Sequence, residues 1–262
     1  DHVQDSHIDN PVRHATSKMS TIHMVSTDEH ARRLYKMGED KQRIFNIGSV
    51  ALDKFHSAEV YTFDEIKDYF KMPSQTDNFA ILIFHPIPKE RKHSAKIFEN
   101  ILLTLKEKNI FTFVSHPNID PGSSEIISII NKYNNTPGFN FYKSQPRKIF
   151  LSIYKNADFI IGNSSSGIME SASIPIPAIN VGIRQKNRTP NDNVIFCDAT
   201  KQSIEDAIEN CKSKKFQSSL KNTKNIYGDG NSIKNAFKII KENTFRELLF
   251  KDEDILEMNH EK

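Results

Sequence analysis

Cysteine is scarce in this chain. Cys197 and Cys211 are the only two in 262 residues, and they show no C-x-x-C spacing. Neither a thiolate zinc site nor a disulfide framework is expected, which suits a reducing, cytoplasmic setting. No apolar run approaches the roughly 18 residues that would span a bilayer, and no basic-then-apolar leader opens the chain. A soluble protein with no membrane partner is the expectation. An excess of one charge is also missing: 36 Lys and Arg stand against 33 Asp and Glu, a formal net charge of +3. The lysines are dispersed, with Lys212, Lys214 and Lys215 the densest patch, so nucleic acid is not an expected partner.

What is present is enough apolar material, 37 % of the residues, for one large or two modest cores. Residues 11–19 read as a helix, 21–26 as a strand, 28–36 as a helix capped by Thr27, and 43–47 as a strand closed by Gly48. Thr62 and Glu65 form a capping box before a helix whose expected buried stripe is Ile66, Tyr69 and Phe70. From Asn78 the pattern becomes regular. Short apolar strands at 79–84, 111–114, 139–142, 158–161, 178–181 and 194–197 alternate with helices at 91–108, 123–132 and 146–156, and the tail from Lys201 is helical apart from residues 225–231. Strands apolar on both faces and separated by helices predict parallel pairing with right-handed crossovers, a doubly wound α/β sheet of about six strands. Its ligands belong beyond the carboxyl ends of the strands.

One nine-residue run organises the chain: Gly162-Asn163-Ser164-Ser165-Ser166-Gly167-Ile168-Met169-Glu170. It follows one β-type segment and leads through a short helix to another, so the hydroxyls and the first free N–H groups of that helix converge where an anion would be held. Glu170, expected one turn inside the helix, is placed to accept from ribose hydroxyls. A Ser/Gly turn followed by a first-turn acid is equally an ordinary surface element, because the run is neither a P-loop nor a GxGxxG fingerprint. Other polar groups fall at neighbouring strand ends: His85 before Pro86, His116-Pro117-Asn118, and Arg184 after Gly182. A strand-end histidine is as often structural as functional. Three such groups with the Ser/Gly loop on one rim point to a shared nucleotide and catalytic cleft.

The run at 162–170, with Pro177, Asn180, Gly182, Arg184, Gln185 and Arg188, resembles the signature of the UDP-N-acetylglucosamine 2-epimerases, above all their hydrolysing branch. Further matching stretches are 12–19 (Val12-Arg13-His14 to Met19), His23, 25–27, 43–45, Gly48, Asp53, His85-Pro86, 117–120, Gly122 and 227–231. The resemblance implies a GT-B-like fold with one complete Rossmann-like doubly wound parallel sheet and the remnant of a second. The corresponding domains are residues 1–60 (the remnant and crossover), 61–230 (a UDP-binding domain) and 231–262 (C-terminal helices). The N-terminal sheet, with an acidic pair used in catalysis, looks absent, and the chain does not begin with methionine, so a fragment or a natural truncation is open.

By that resemblance the catalytic candidates are His85, Asp9, Arg13 and His14, although Asn10 stands where a second acid is expected. Ser164, Ser165, Ser166 and Gly167 are candidates for the diphosphate, Glu170 for the ribose, and Arg184, Asn118 and His116 for further nucleotide contacts. The implied partner is a UDP-sugar, with no cofactor and no metal, in a homo-oligomer when complete. The implied reaction is elimination of UDP followed by addition of water. Alternatives are a non-hydrolysing epimerase, a GT-B glycosyltransferase and a catalytically dead UDP-binding fragment.

Overall fold

The computed structural model describes residues 9–53, 55 and 58–251. The described residues divide into two compact units, one of 58–224 and the other of 9–53 and 55 with 225–251.

The second of these begins with helix α1 (Asp9–Met19), strand β1 (His23–Val25), helix α2 (Asp28–Lys36) and strand β2 (Ile44–Asn46). Thr27 caps α2 by accepting from the His30 N–H at 3.2 Å, as a Ser/Thr cap should. β1 and β2 pair in parallel, His23 opposite Ile44 and Val25 opposite Asn46. Arg43, expected within a strand, lies in a 3-10 turn at Lys41–Arg43 with its side chain buried. The guanidinium donates to the carbonyls of Leu248 and Phe250, so the side chain is taken up by a later segment rather than by a ladder. Glu39 is fully buried beside His23 Nε2 (2.9 Å), Lys18 Nζ (2.8 Å) and Lys251.

The larger unit holds helix α3 (Phe63–Phe70), strand β3 (Phe79–Ile83), helix α4 (Ser94–Glu107), strand β4 (Phe111–Ser115), helix α5 (Ser123–Tyr133), strand β5 (Phe139–Tyr142), helix α6 (Arg147–Asn156) and strand β6 (Phe159–Gly162). Helix α7 (Ser165–Met169), strands β7 (Ala178–Val181) and β8 (Val194–Cys197), and helices α8 (Lys201–Lys212) and α9 (Lys214–Leu220) follow. The six strands form one parallel sheet in the order β5-β4-β3-β6-β7-β8. Ile81 lies opposite Phe113 on one side and Ile160 on the other. This is the doubly wound α/β arrangement expected, and the two-stranded sheet of β1 and β2 is separate from it.

Helices cover both faces of the large sheet. On one face Ala80, Leu82, Val114, Ile161 and Val181 pack with Phe98, Leu102, Ile126 and Ile204 from α4, α5 and α8. On the other, Phe63 stacks on Phe79 with ring centroids 5.6 Å apart, and Phe70 meets Phe113 edge-on at 4.7 Å. Tyr69, expected in that buried stripe, is 56 % exposed. The sheet takes Phe63, Ile66 and Phe70, the i, i+3 and i+7 positions of α3, which turns Tyr69 outward.

The chain runs from β3 out to β4 and β5, then returns to β6 on the opposite side of β3. That reversal opens a crevice between the carboxyl ends of β3 and β6, where ligands of such sheets bind. Gly162 lets the two strand ends approach: its φ is +131°, and a Cβ there would sit 2.1 Å from the Ile83 carbonyl oxygen. After α9 the backbone rejoins the unit that contains β1 and β2. The Ser49 N–H donates to Tyr227 O at 2.6 Å, and Asp53 accepts from the N–H groups of Ser232 (3.0 Å) and Ile233 (2.6 Å) at the start of helix α10 (Ser232–Glu242).

Candidate functional site

The crevice is built by four strand ends of the larger unit. His85 lies two residues beyond β3, His116 to Asp120 follow β4, Asn163 and the Ser/Gly turn follow β6, and Arg184 with Gln185 follows β7. The sheet's register brings these together because β3 lies between β4 and β6 and β7 flanks β6.

His85 is held by its ring and by its backbone. The Asn118 N–H donates to His85 Nδ1 at 3.2 Å. A ring nitrogen that accepts carries no proton, so the neutral imidazole bears its hydrogen on Nε2. Burial pulls the His85 pKa down from 6.5 to about 4, the neighbouring Arg184 cation adds to this, and Asp120 opposes it. His85 is therefore uncharged at neutral pH and presents an N–H donor. Arg184 donates through Nη1 to Asn163 O at 2.9 Å; burial lowers its pKa too, against Asp120. Asn118 Nδ2 donates to the Asp120 carboxylate, so Asp120 stands within electrostatic reach of both the histidine and the arginine.

The Ser/Gly turn is more differentiated than its sequence suggests. Helix α7 is five residues long and Glu170 closes it as the C-terminal cap residue, not one turn inside it as expected. Ser164 caps the helix by accepting from the Ser166 N–H at 3.2 Å. The Ser166 hydroxyl, expected to face an anion with those of Ser164 and Ser165, donates instead to Glu170 Oε2. It also lies 3.2 Å from the hydroxyl of fully buried Tyr154, which donates to the Ser166 carbonyl at 3.0 Å. A serine one turn before a carboxylate satisfies that carboxylate first. Burial raises the Glu170 pKa, opposed by the Ser166 hydrogen bond and by Arg147. Gly167 is buried within α7, with room for ordinary contact against Ala178 and Ile160.

His116 stands at the β4 end of the rim, and the other remaining candidates fall in the smaller unit. The His116 N–H donates to Tyr142 O at 2.8 Å, which draws its backbone to β5, and burial followed by Lys143 lowers its ring pKa. Asp9, Arg13 and His14 belong to α1 in the other unit, with Asp9 its first residue and the side chains of Arg13 and His14 half-buried. Three residues that the sequence placed in matching stretches without assigning them a role belong to the rim: Asn163, Gln185 and Asp120. Asn163 and Gln185 are fully buried polar side chains, and the signal for Asn163 was an amide directly after a wholly apolar strand. Among the described residues, Asn118 Oδ1, Asn180 Oδ1, Gln185 Oε1 and Arg184 Nε are buried without a hydrogen-bond partner. No three His, Cys, Asp or Glu side chains of the described residues gather as a metal site, and no helix among them is long and apolar enough to cross a membrane.

Comparison with known proteins gives this geometry a family. The UDP-N-acetylglucosamine 2-epimerase family matches residues 2–241. A UDP-N-acetylglucosamine 2-epimerase of Neisseria meningitidis serogroup B is 35 % identical over 215 residues, covering 80 % of this chain and 55 % of the relative. A hydrolysing UDP-N,N'-diacetylbacillosamine 2-epimerase of Legionella pneumophila is 32 % identical over 235 residues, covering 89 % of this chain and 61 % of the relative. The crystal structure of a Neisseria meningitidis UDP-GlcNAc 2-epimerase bound to UDP-GlcNAc superposes with a TM-score of 0.76 at 16 % identity, over 91 % of this chain and 66 % of that one. This chain thus spans between half and two thirds of the length of the curated relatives it matches. By the extent of the family match, which takes in residues 2–241, the chain belongs to the UDP-N-acetylglucosamine 2-epimerase family.

Proposed function

We propose that the rim beyond β3, β4, β6 and β7 holds the UDP moiety of a UDP-2-acetamido sugar, and that the protein serves hydrolysing epimerisation at C2. The observation that carries this reading is the set of groups at the sheet's switch point: the His85 ring on the Asn118 N–H, Arg184 on the Asn163 carbonyl, and Glu170 closing the Ser/Gly turn. Ser164 and Ser165 donate to the diphosphate, Arg184 offsets its charge, and Glu170 accepts from the ribose hydroxyls.

The C2 proton of such a sugar is weakly acidic, so its removal accompanies or follows departure of UDP. A base takes the C2 proton, the C1–O bond breaks with its electron pair leaving on UDP, and a C1=C2 double bond forms. Water then adds its hydroxyl to C1 while a proton returns to the opposite face of C2, giving the free manno sugar. His85, neutral with its proton on Nε2, is suited to donate toward the oxygen on which charge develops. The base for C2 is then a carboxylate.

The test is incubation with UDP-N-acetylglucosamine and with its diacetylbacillosamine counterpart, with UDP, free manno sugar and UDP-linked manno sugar measured separately, alongside calorimetric titration with UDP. Free manno sugar with stoichiometric UDP supports the reading. A UDP-linked product points to non-hydrolysing epimerisation, transfer to an acceptor points to a glycosyltransferase, and absence of UDP binding overturns the proposal.

A further inference from the structure

Asn163 has no exposed surface, so it does not reach out to a ligand as its serine neighbours do. Its Oδ1 accepts from the His85 N–H at 2.7 Å and its Nδ2 donates to the His85 carbonyl at 2.7 Å. Both polar groups of the His85 backbone are thereby satisfied by one side chain from the neighbouring strand. The Asn163 N–H donates to Ile83 O at 3.1 Å, so the clamp extends the alignment of β3 and β6 two residues past the end of β3. The Asn163 carbonyl, in turn, accepts from Arg184 Nη1 and from Gln185 Nε2, each at 2.9 Å. One residue therefore ties the backbone of the histidine to the guanidinium of the arginine.

The chemistry requires this residue type. The amide must offer an acceptor to an N–H and a donor to a C=O at once, which fixes its orientation. Aspartate lacks the donor, serine is too short to reach both groups, and glutamine carries its amide one methylene farther from the backbone.

We propose that Asn163 is a positioning residue, which sets the His85 imidazole on the Asn118 N–H and in register with Arg184. This rests on the reading of His85 as a reacting group, but its effect on the ring can be measured without turnover. The rival account is that the bonds only hold β3 to β6.

The experiment uses long-range 15N–1H NMR of the histidine rings, with the His85 signal assigned by its loss in His85→Gln. The parent should show one tautomer, protonated on Nε2 and titrating well below an ordinary histidine. Asn163→Ala should give a mixture of tautomers and a midpoint moved toward the ordinary value near 6.5. Asn163→Ser is the milder variant, which carries the test should the alanine protein fold poorly. Asn193→Ala is the control. Asn193 is also fully buried, and its Nδ2 donates to Ser171 Oγ at 2.7 Å and Ile176 O at 2.6 Å, with no bond to His85. It should lower stability without moving the His85 ring. In a preparation that turns over, Asn163→Ser should lower kcat by roughly 10- to 100-fold with KM little changed. An unchanged tautomer and titration in the Asn163 variants, or an equal change in Asn193→Ala, would overturn the proposal. A parent that fails to bind UDP would sink the functional reading and leave the ring measurement to decide Asn163 on its own.

Discussion

Replacing Gly162 with alanine tests how the site is assembled. At φ +131° its ideal Cβ lies 2.1 Å from the Ile83 oxygen and 2.7 Å from the Ile83 carbonyl carbon, against an ordinary carbon–oxygen contact of roughly 3.3 Å or more. Neither atom belongs to a flexible side chain that could swing aside. β3 and β6 would have to separate by about 1 Å where Ile83 and Gly162 stand opposite each other. The unfavourable φ costs about 1–3 kcal/mol, overpacking costs a similar amount, and the strained ladder bonds add about 1 kcal/mol. A total loss of about 3–7 kcal/mol follows, a large part of the roughly 5–15 kcal/mol that holds an ordinary domain together. Gly167→Ala is the matched control. Its Cβ would make ordinary contacts, 3.6 Å from Ala178 Cβ and 3.8 Å from Ile160 Cγ2, so removing backbone freedom should stabilise by about 0.5–1 kcal/mol. Chemical denaturation followed by far-UV circular dichroism measures both. A loss below about 1 kcal/mol in Gly162→Ala, or a larger loss in Gly167→Ala than in Gly162→Ala, would refute the reasoning.

Glu170→Gln should weaken UDP binding by about 1–3 kcal/mol through loss of a charge-assisted bond; calorimetry against a 2′,3′-dideoxy analogue checks it, since equal weakening of both ligands removes Glu170 from the ribose. Ser165→Ala should weaken UDP binding more than Ser166→Ala, because the Ser166 hydroxyl is committed to Glu170; the reverse order in the same titration would count against that assignment. His85 has a folded pKa of about 4 against 6.5 for the free side chain, so the unfolded chain binds the extra proton between those values. Its contribution is present above pH 6.5 and is lost as pH falls toward 4. The denaturation midpoint should therefore fall less steeply with acid in His85→Gln than in the parent, and identical slopes would contradict the burial of a neutral ring.

The strands were legible because they are covered on both faces: Phe79 to Ile83 is buried at every position, so it reads as a continuous apolar run rather than an alternating one. The capping box at Thr62 and Glu65 was legible because both partners lie within one turn, and both of its bonds are present. Tyr69 was misread because the period of a helix tells which residues share a face but not which part of that face the sheet covers. The rim candidates His85, Asn118 and Arg184 could be seen as polar groups after apolar strands. Asn163 could not be understood that way, since its partner His85 lies 78 positions away and only the strand order makes them neighbours. Ser166 shows the opposite failure: three successive serines look equivalent, and only their different directions around the turn assign one of them to Glu170.

The Asp53 cap on α10 joins residues 179 positions apart, and Arg43 likewise waits for Leu248 and Phe250. The unit that contains β1 and β2 is thus discontinuous, whereas Ala58–Lys224 is one unbroken stretch. On a ribosome moving at about 5–20 residues per second, the early segment would stand without these partners for roughly 10–40 s, while the six-stranded sheet has everything it needs. Of these two segments the later-made one therefore matures first: the six-stranded sheet and its rim form before the segment with β1 and β2 is closed. Nascent chains arrested after Lys224 should resist protease across the sheet while residues around Arg43 and Asp53 are still cut, and early protection of those residues would argue against a late closing step.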